Sequence, residues 1–140
     1  MRAEAPNSLR KIWIVDDNDI DALICNRIME RSDPHTQISH YAEAEEALLD
    51  LQKKIKESPQ DLPDLILLDL YMPIVNGWKF VSRYREMGHL LPQKIILLLH
   101  SCTGLDSDIR QACNEVEIDG FVNKPFTPEK YSHICQKYFR

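Results

Sequence analysis

The sequence predicts a single doubly wound α/β domain: a five-stranded parallel sheet with five helices packed on its two faces, in three layers. Three observations predict it. Five short apolar runs of strand length alternate with five segments of helical periodicity, an order that calls for a parallel sheet joined by crossover helices. The strand runs are apolar almost throughout, as suits strands buried on both faces. The length of 140 residues fits one domain, and its 44% apolar content supplies one sizeable core.

Residues 1–9 read as a flexible lead, with the domain over 10–140. Lys11 to Val15 (KIWIV) is an apolar run stopped by Asp16 and Asp17, which predicts the first strand. Over Asp19 to Arg31, Ile20, Leu23, Ile24 and Arg27/Ile28 recur at helical spacing, with Asn18 or Asp19 as N-cap. Pro34 cannot continue that helix. Thr36 to His40 is a short second strand. Ala42 to Lys56 is a helix with Ala44, Ala47, Leu48, Leu51 and Ile55 on one face. Glu57 to Pro63, with two prolines, is a loop. Asp64 to Leu70 (DLILLDL) is the third strand, broken by Met72-Pro73. Gly77 to Met87 is helical, with Phe80, Val81 and Tyr84 inward and Gly88 as the stop. Lys94 to Leu99 is the fourth strand, followed by a polar loop, Ser101 to Ser107. Asp108 to Glu117 is a short helix and Asp119 to Asn123 the last strand. Thr127 then caps a terminal helix with Pro128 at its first position, where the missing N–H costs nothing.

Composition excludes several classes. A net charge of −5 argues against a nucleic-acid reader, which needs a basic face. No run approaches the roughly 20 apolar residues of a membrane-spanning helix. The segment MRAEAPNSLRK lacks the apolar centre of a secretory signal, so a cytoplasmic protein is expected. Cys25, Cys102, Cys113 and Cys135 form no CxxC pair and no metal or disulfide framework; reduced thiols are the simple reading. The five histidines, His35, His40, His89, His100 and His133, are scattered and suggest no ligand set. Trp13 and Trp78 read as packing residues.

Ligands of an open α/β sheet bind beyond the carboxyl ends of its strands. The first strand ends in Asp16-Asp17 and the third in Asp69; Ser101 follows the fourth and Lys124 the fifth. Three carboxylates that repel one another call for a divalent cation, and Mg2+ suits hard oxygen donors. Such a cation neutralises a phosphoryl group and leaves one carboxylate to attack phosphorus in line. A hydroxyl and an ammonium can hold the remaining phosphoryl oxygens. The plainer readings differ in weight. Asp16-Asp17 could serve the dipole of the following helix, and Lys124-Pro125 could be a turn. Asp69 in an apolar strand has no comparable structural reading, because an unpaired buried carboxylate is costly. Phe121 could be ordinary core, and Tyr71 a loop aromatic.

From about Lys11 to Phe139 the chain resembles the response-regulator receiver domain. WIVDDND, LILLDLYMPIVNGW, LLLHSCTG and DGFVNKPF carry the resemblance, each at a strand end and in the family's order. It implies a flavodoxin-like strand order of 2-1-3-4-5 and resembles the stand-alone receivers common in bacteria. It further implies that Asp69 is the phosphoacceptor and that Mg2+ is held by Asp16, Asp17, Asp69 and the backbone carbonyl of Tyr71, with Asp16 acting through a water. Lys124 would pair with Asp69 or its phosphate, beside a Lys124-Pro125 bond that is usually cis in this family. Ser101 takes the switch hydroxyl position and Phe121 the switch aromatic. Ser stands where Thr is commoner, and a one-residue shift would put His100 in that slot; Ser101 keeps the downstream register to Asp108. The implied partners are a histidine kinase or histidine phosphotransfer protein. A downstream protein would be met by the face of the fourth helix, fifth strand and fifth helix, with no nucleic acid or membrane involved. The chain is expected as a monomer or weak homodimer that catalyses only its own phosphorylation and dephosphorylation. With no effector domain after Arg140, output is expected by protein contact or phosphotransfer relay.

Other functions are less well matched. A degenerate receiver serving as a scaffold or dimerisation module is expected to lose an acidic residue or the lysine, and none is lost. An aspartate-nucleophile phosphatase places a second acid two residues after the nucleophile, where this chain has Tyr71. A flavin or nucleotide binder is disfavoured by four glycines and no Gly-rich loop.

Overall fold

A computed structural model describes residues 10–69, 77–101 and 117–139. The strands are β1 (Lys11–Val15), β2 (Gln37–Tyr41), β3 (Leu65–Asp69), β4 (Ile96–Ser101) and β5 (Gly120–Asn123). Four α-helices fall among the described residues: α1 (Asp19–Ser32), α2 (Ala44–Glu57), α3 (Gly77–Met87) and α4 (Pro128–Tyr138). The helix expected over 108–117 lies outside them but for Glu117, as does the lead over 1–9. Short 3₁₀ turns occupy Pro59–Asp61, inside the expected loop, and Gly88–Leu90 after α3.

All strand pairs are parallel, in the order β2-β1-β3-β4-β5. The reversal of strand order lies where β1 and β3 run side by side, so their carboxyl ends open onto one crevice. β3 is buried at all five positions. Its alternate side chains enter two separate cores, as the period of two requires. Ile66 and Leu68 pack with α2 and α3; Leu65 and Leu67 pack with α1 and α4.

Helix ends follow their caps. Asn18 accepts a hydrogen bond from the Asp21 amide and starts α1, while Thr127 accepts from the Lys130 amide and starts α4 with Pro128 at its first position. The buried face of α2 is Ala44, Ala47, Leu48 and Leu51, with Ile55 packed at its edge, as its periodicity predicts. Trp13 is buried and Trp78 half-buried, both in the α2–α3 core. In β5, a Cβ on Gly120 would sit 2.6 Å from the Tyr138 hydroxyl; the missing side chain lets α4 close onto the strand.

Two local expectations fail for identifiable reasons. α1 is rotated from the stripe expected through Ile20, Leu23 and Ile24: Ala22, Cys25 and Met29 are buried, while Ile20, Leu23 and Ile24 are 69%, 52% and 42% exposed. β4 runs two residues beyond its expected end, because the ladder with β5 continues through His100↔Val122 and Ser101↔Asn123. Ser101 is therefore the last residue of a strand and not the first of a loop.

Candidate functional site

At the carboxyl end of the sheet, β1 delivers Asp16 and Asp17, and neighbouring β3 delivers Asp69. One carboxylate oxygen from each of the three lies within 4.8 Å of the other two. Asp16 and Asp69 are buried and Asp17 is exposed, so the group has a dry floor and an open rim. The lysine after β5 reaches the same point: Lys124 Nζ is 3.1 Å from Asp16 Oδ2 and 3.9 Å from Asp69 Oδ1. The Lys124-Pro125 peptide is cis. Backbone bonds set the frame, with the Lys124 amide donating to the Ser101 carbonyl at 2.8 Å and the Asn18 amide to Asp16 Oδ1 at 2.8 Å.

Electrostatics follow from burial and crowding. The Asp69 carboxyl is pushed up to about 7 by burial and then by the Asp16 charge; Lys124 opposes this and Asp17 adds to it. Burial works against the Lys124 ammonium, yet its hydrogen bond to Asp21 and the charges of Asp16 and Asp69 outweigh that and hold its pKa above the ordinary value. The Cys25 thiol, on the inward face of α1, is pushed up to about 12 by burial and then by Asp16, so it is an inert core residue.

The donor set fits a hard dication. It consists of oxygens alone, partly open to water, which is how Mg2+ is commonly held. Asp16 Oδ2 is buried against the Lys124 ammonium, 3.1 Å away. One ammonium facing three crowded carboxylates leaves negative charge that a dication would offset. Tyr71, expected to lend its carbonyl, lies outside the described residues.

Ser101 and Phe121 share a face of the sheet. Phe121 is paired with Leu99 and packs against the α2–α3 core; Ser101, two residues beyond Leu99, points the same way and is 1% exposed. His100 points to the other face, 5.7 Å from Phe126 in an edge-on contact. Burial, and then the charge of Lys124, pull its imidazole down to about 4.

Asp21 is the site residue that the sequence pattern does not single out. Its Oδ2 accepts a 2.9 Å hydrogen bond from Lys124 Nζ, the shortest of that ammonium's carboxylate contacts among the described residues. The signal for it was the helix phase. Asp21 stands four residues before Cys25, so on the observed rotation of α1 it tops the inward stripe. His40 also touches the site through its ring, 2.7 Å from the Asp16 carbonyl oxygen.

A family model described as "Response regulator receiver domain" matches residues 12–136. Hybrid signal transduction histidine kinase C of Dictyostelium discoideum is 30% identical over 146 residues, covering 97% of this chain; the chain spans 11% of that relative's length. A response regulator receiver protein from Dyadobacter fermentans, known from its crystal structure, is 27% identical with a TM-score of 0.78 over 93% of this chain and 98% of the other. A two component response regulator from Cytophaga hutchinsonii matches with a TM-score of 0.82 at 21% identity, over 93% of this chain and 96% of the other.

Proposed function

This chain belongs to the response-regulator receiver domain family, a module of two-component signalling, and on that premise we propose that Asp69 accepts a phosphoryl group from a histidine kinase or histidine phosphotransfer protein. The observation that carries the reading is the convergence of Asp16, Asp17 and Asp69 within 4.8 Å, with Lys124 Nζ 3.9 Å from Asp69. Likeness to a hybrid signal transduction histidine kinase supports a histidine-borne donor.

In this reading Asp16, Asp17 and Asp69 would hold Mg2+, which when bound neutralises charge on the phosphoryl oxygens. A carboxylate oxygen of Asp69 forms a bond to phosphorus as the P–N bond to the donor imidazole breaks, and the imidazole leaves with a proton from solvent. Asp69 must be ionised to attack, so the forces that raise its pKa also make Lys124 necessary. The ammonium supplies positive charge inside the site and is within reach of the new phosphoryl oxygens. Water later cleaves the acyl phosphate, returning the carboxylate and inorganic phosphate. The Ser101 hydroxyl stands at the carboxyl end of β4, on the same face as Phe121 and two residues further along. A shift of Ser101 toward the phosphate frees space for Phe121 to turn inward, changing the surface of the expected helix over 108–117, β5 and α4 for a downstream protein.

Incubation with Mg2+ and acetyl phosphate, or a phosphoramidate, tests the reading. One acid-stable, base-labile phosphoryl adduct is expected by mass spectrometry, absent in Asp69→Asn. An unmodified wild-type chain would reject phosphoacceptance and leave a scaffold.

A further inference from the structure

Among the described residues Lys124 has three carboxylate partners, and they are not equivalent. Its Nζ lies 2.9 Å from Asp21, 3.1 Å from Asp16 and 3.9 Å from Asp69. The residue that the chemistry needs it to serve is the most distant. Asp16 and Asp69 have side chains only 2% and 8% exposed, whereas that of Asp21 is 32% exposed. A buried carboxylate cannot release an ammonium without losing its counter-charge, but water can replace the ammonium at Asp21. Asp21 is therefore the partner that can let go. It is also fixed in place: its backbone amide donates to the Asn18 cap at 3.0 Å, in the first turn of α1.

We propose that Asp21 is a positioning residue that draws the Lys124 ammonium away from Asp69, leaving the Asp16–Asp17–Asp69 group to a divalent cation and delaying the lysine's engagement of a phosphoryl group. The inference rests on the phosphoacceptor reading of Asp69 for its second half alone. An ammonium and a dication compete for the same carboxylate charge, and their mutual repulsion falls as the ammonium retreats. The charge of Asp21 itself adds to the attraction for the cation. Engaging a phosphoryl group on Asp69 then requires the Lys124 ammonium to break its shortest carboxylate contact. The two effects have opposite signs: Asp21 tightens cation binding and slows phosphoryl acceptance.

The test compares wild type, Asp21→Asn and Asp19→Asn, each checked by thermal unfolding. Asp19 is exposed on the same helical turn, so its substitution removes an equal charge close by. Metal-free protein is titrated with Mg2+ by calorimetry, and labelling by acetyl phosphate is timed at saturating Mg2+. Asp21→Asn is expected to bind Mg2+ about threefold more weakly and to label about threefold faster, the scale of a half-exposed ion pair. Asp19→Asn should move each quantity by less than half as much. Both quantities falling together in Asp21→Asn would mark general damage to the site and overturn the inference, as would equal Mg2+ constants in Asp21→Asn and wild type. Asp19→Asn matching Asp21→Asn would reduce the effect to bulk charge and overturn it as well. A wild type that takes no label while the Mg2+ constants still differ overturns the phosphoacceptor reading instead, and the cation half stands.

Discussion

The two faces of the sheet are built from the same strands and end differently. On the α2–α3 face, Trp13, Val15, Ile66, Leu68, Leu97 and Leu99 pack against helices in a cluster made of apolar side chains, and the face closes with the hydroxyl of Ser101. On the α1–α4 face, Ile12, Ile14, Leu65, Leu67 and Leu98 begin in the same way. There the alternation along β3 and β4 then delivers Asp69 and His100, beside Asp16 and Lys124. One face is apolar up to the hydroxyl of Ser101, and the other gives up its last layer to charge. A parallel sheet allows this because every carboxyl end opens on the same edge. Polar groups can be concentrated there while the other core stays intact.

The largest effect that would break this contrast is a cavity in the apolar face. Phe80 is fully buried in the α2–α3 core. Phe80→Ala is expected to cost about 3–5 kcal/mol in urea unfolding. The fraction that remains folded should bind Mg2+ as wild type does. A Mg2+ constant that moved with stability would show the two faces to be coupled, and the division of labour between them would fail.

A smaller effect, of either sign, is expected on the charged face. In metal-free protein the Asp69 carboxyl is raised from its ordinary value of 3.8 to about 7. A raised acid contributes stability that is full below pH 4 and is lost as pH climbs through 7, because the unfolded chain ionises first. His100 is lowered from its ordinary value of 6.5 to about 4. Its contribution is full above pH 6.5 and lost as pH falls through 4. The two slopes oppose each other over the same window, so the net contribution of this pair there should be small. Asp69→Asn should leave stability rising with pH between 4 and 6.5, and His100→Leu should leave it falling between 4 and 7, each by on the order of 1–3 kcal/mol. Urea midpoints at five pH values measure this. Parallel profiles for both variants would mean that burial does not govern these groups.

How much of this was legible in the sequence follows the same division. β1 and β3 could be read outright, since a run such as LILLD buried on both faces leaves no alternative period. The carboxylates and the lysine were legible as strand-end residues, and the described structure brings them together. Two things were not legible. The end of β4 depends on how far β5 extends the ladder, a non-local fact, so Ser101 reads as a loop residue from the sequence and closes a strand in the fold. The phase of α1 depends on which residues the sheet accepts: Ala22, Cys25 and Met29 are buried, and the more conspicuous stripe of Ile20, Leu23 and Ile24 is left exposed. Asp21 belongs to that inward stripe, four residues before Cys25, and a stripe drawn through Ile20, Leu23 and Ile24 passes it by.

The smallest expected effect sharpens the contrast within α1 itself. Leu23 is 52% exposed, whereas Met29 is fully buried further along the helix. Leu23→Ser therefore removes an apolar side chain that water already reaches, and unfolding stability should move by no more than about 0.5 kcal/mol. Met29→Ala opens a void beneath the same helix and should cost about 2–5 kcal/mol. The phase suggested by the spacing of Ile20, Leu23 and Ile24 predicts the reverse ranking, because it puts Leu23 inward. Urea unfolding of the two variants side by side therefore decides the rotation of α1. With it goes the placement of Asp21 over Lys124, since a helix turned to bury Leu23 would carry Asp21 away from the lysine.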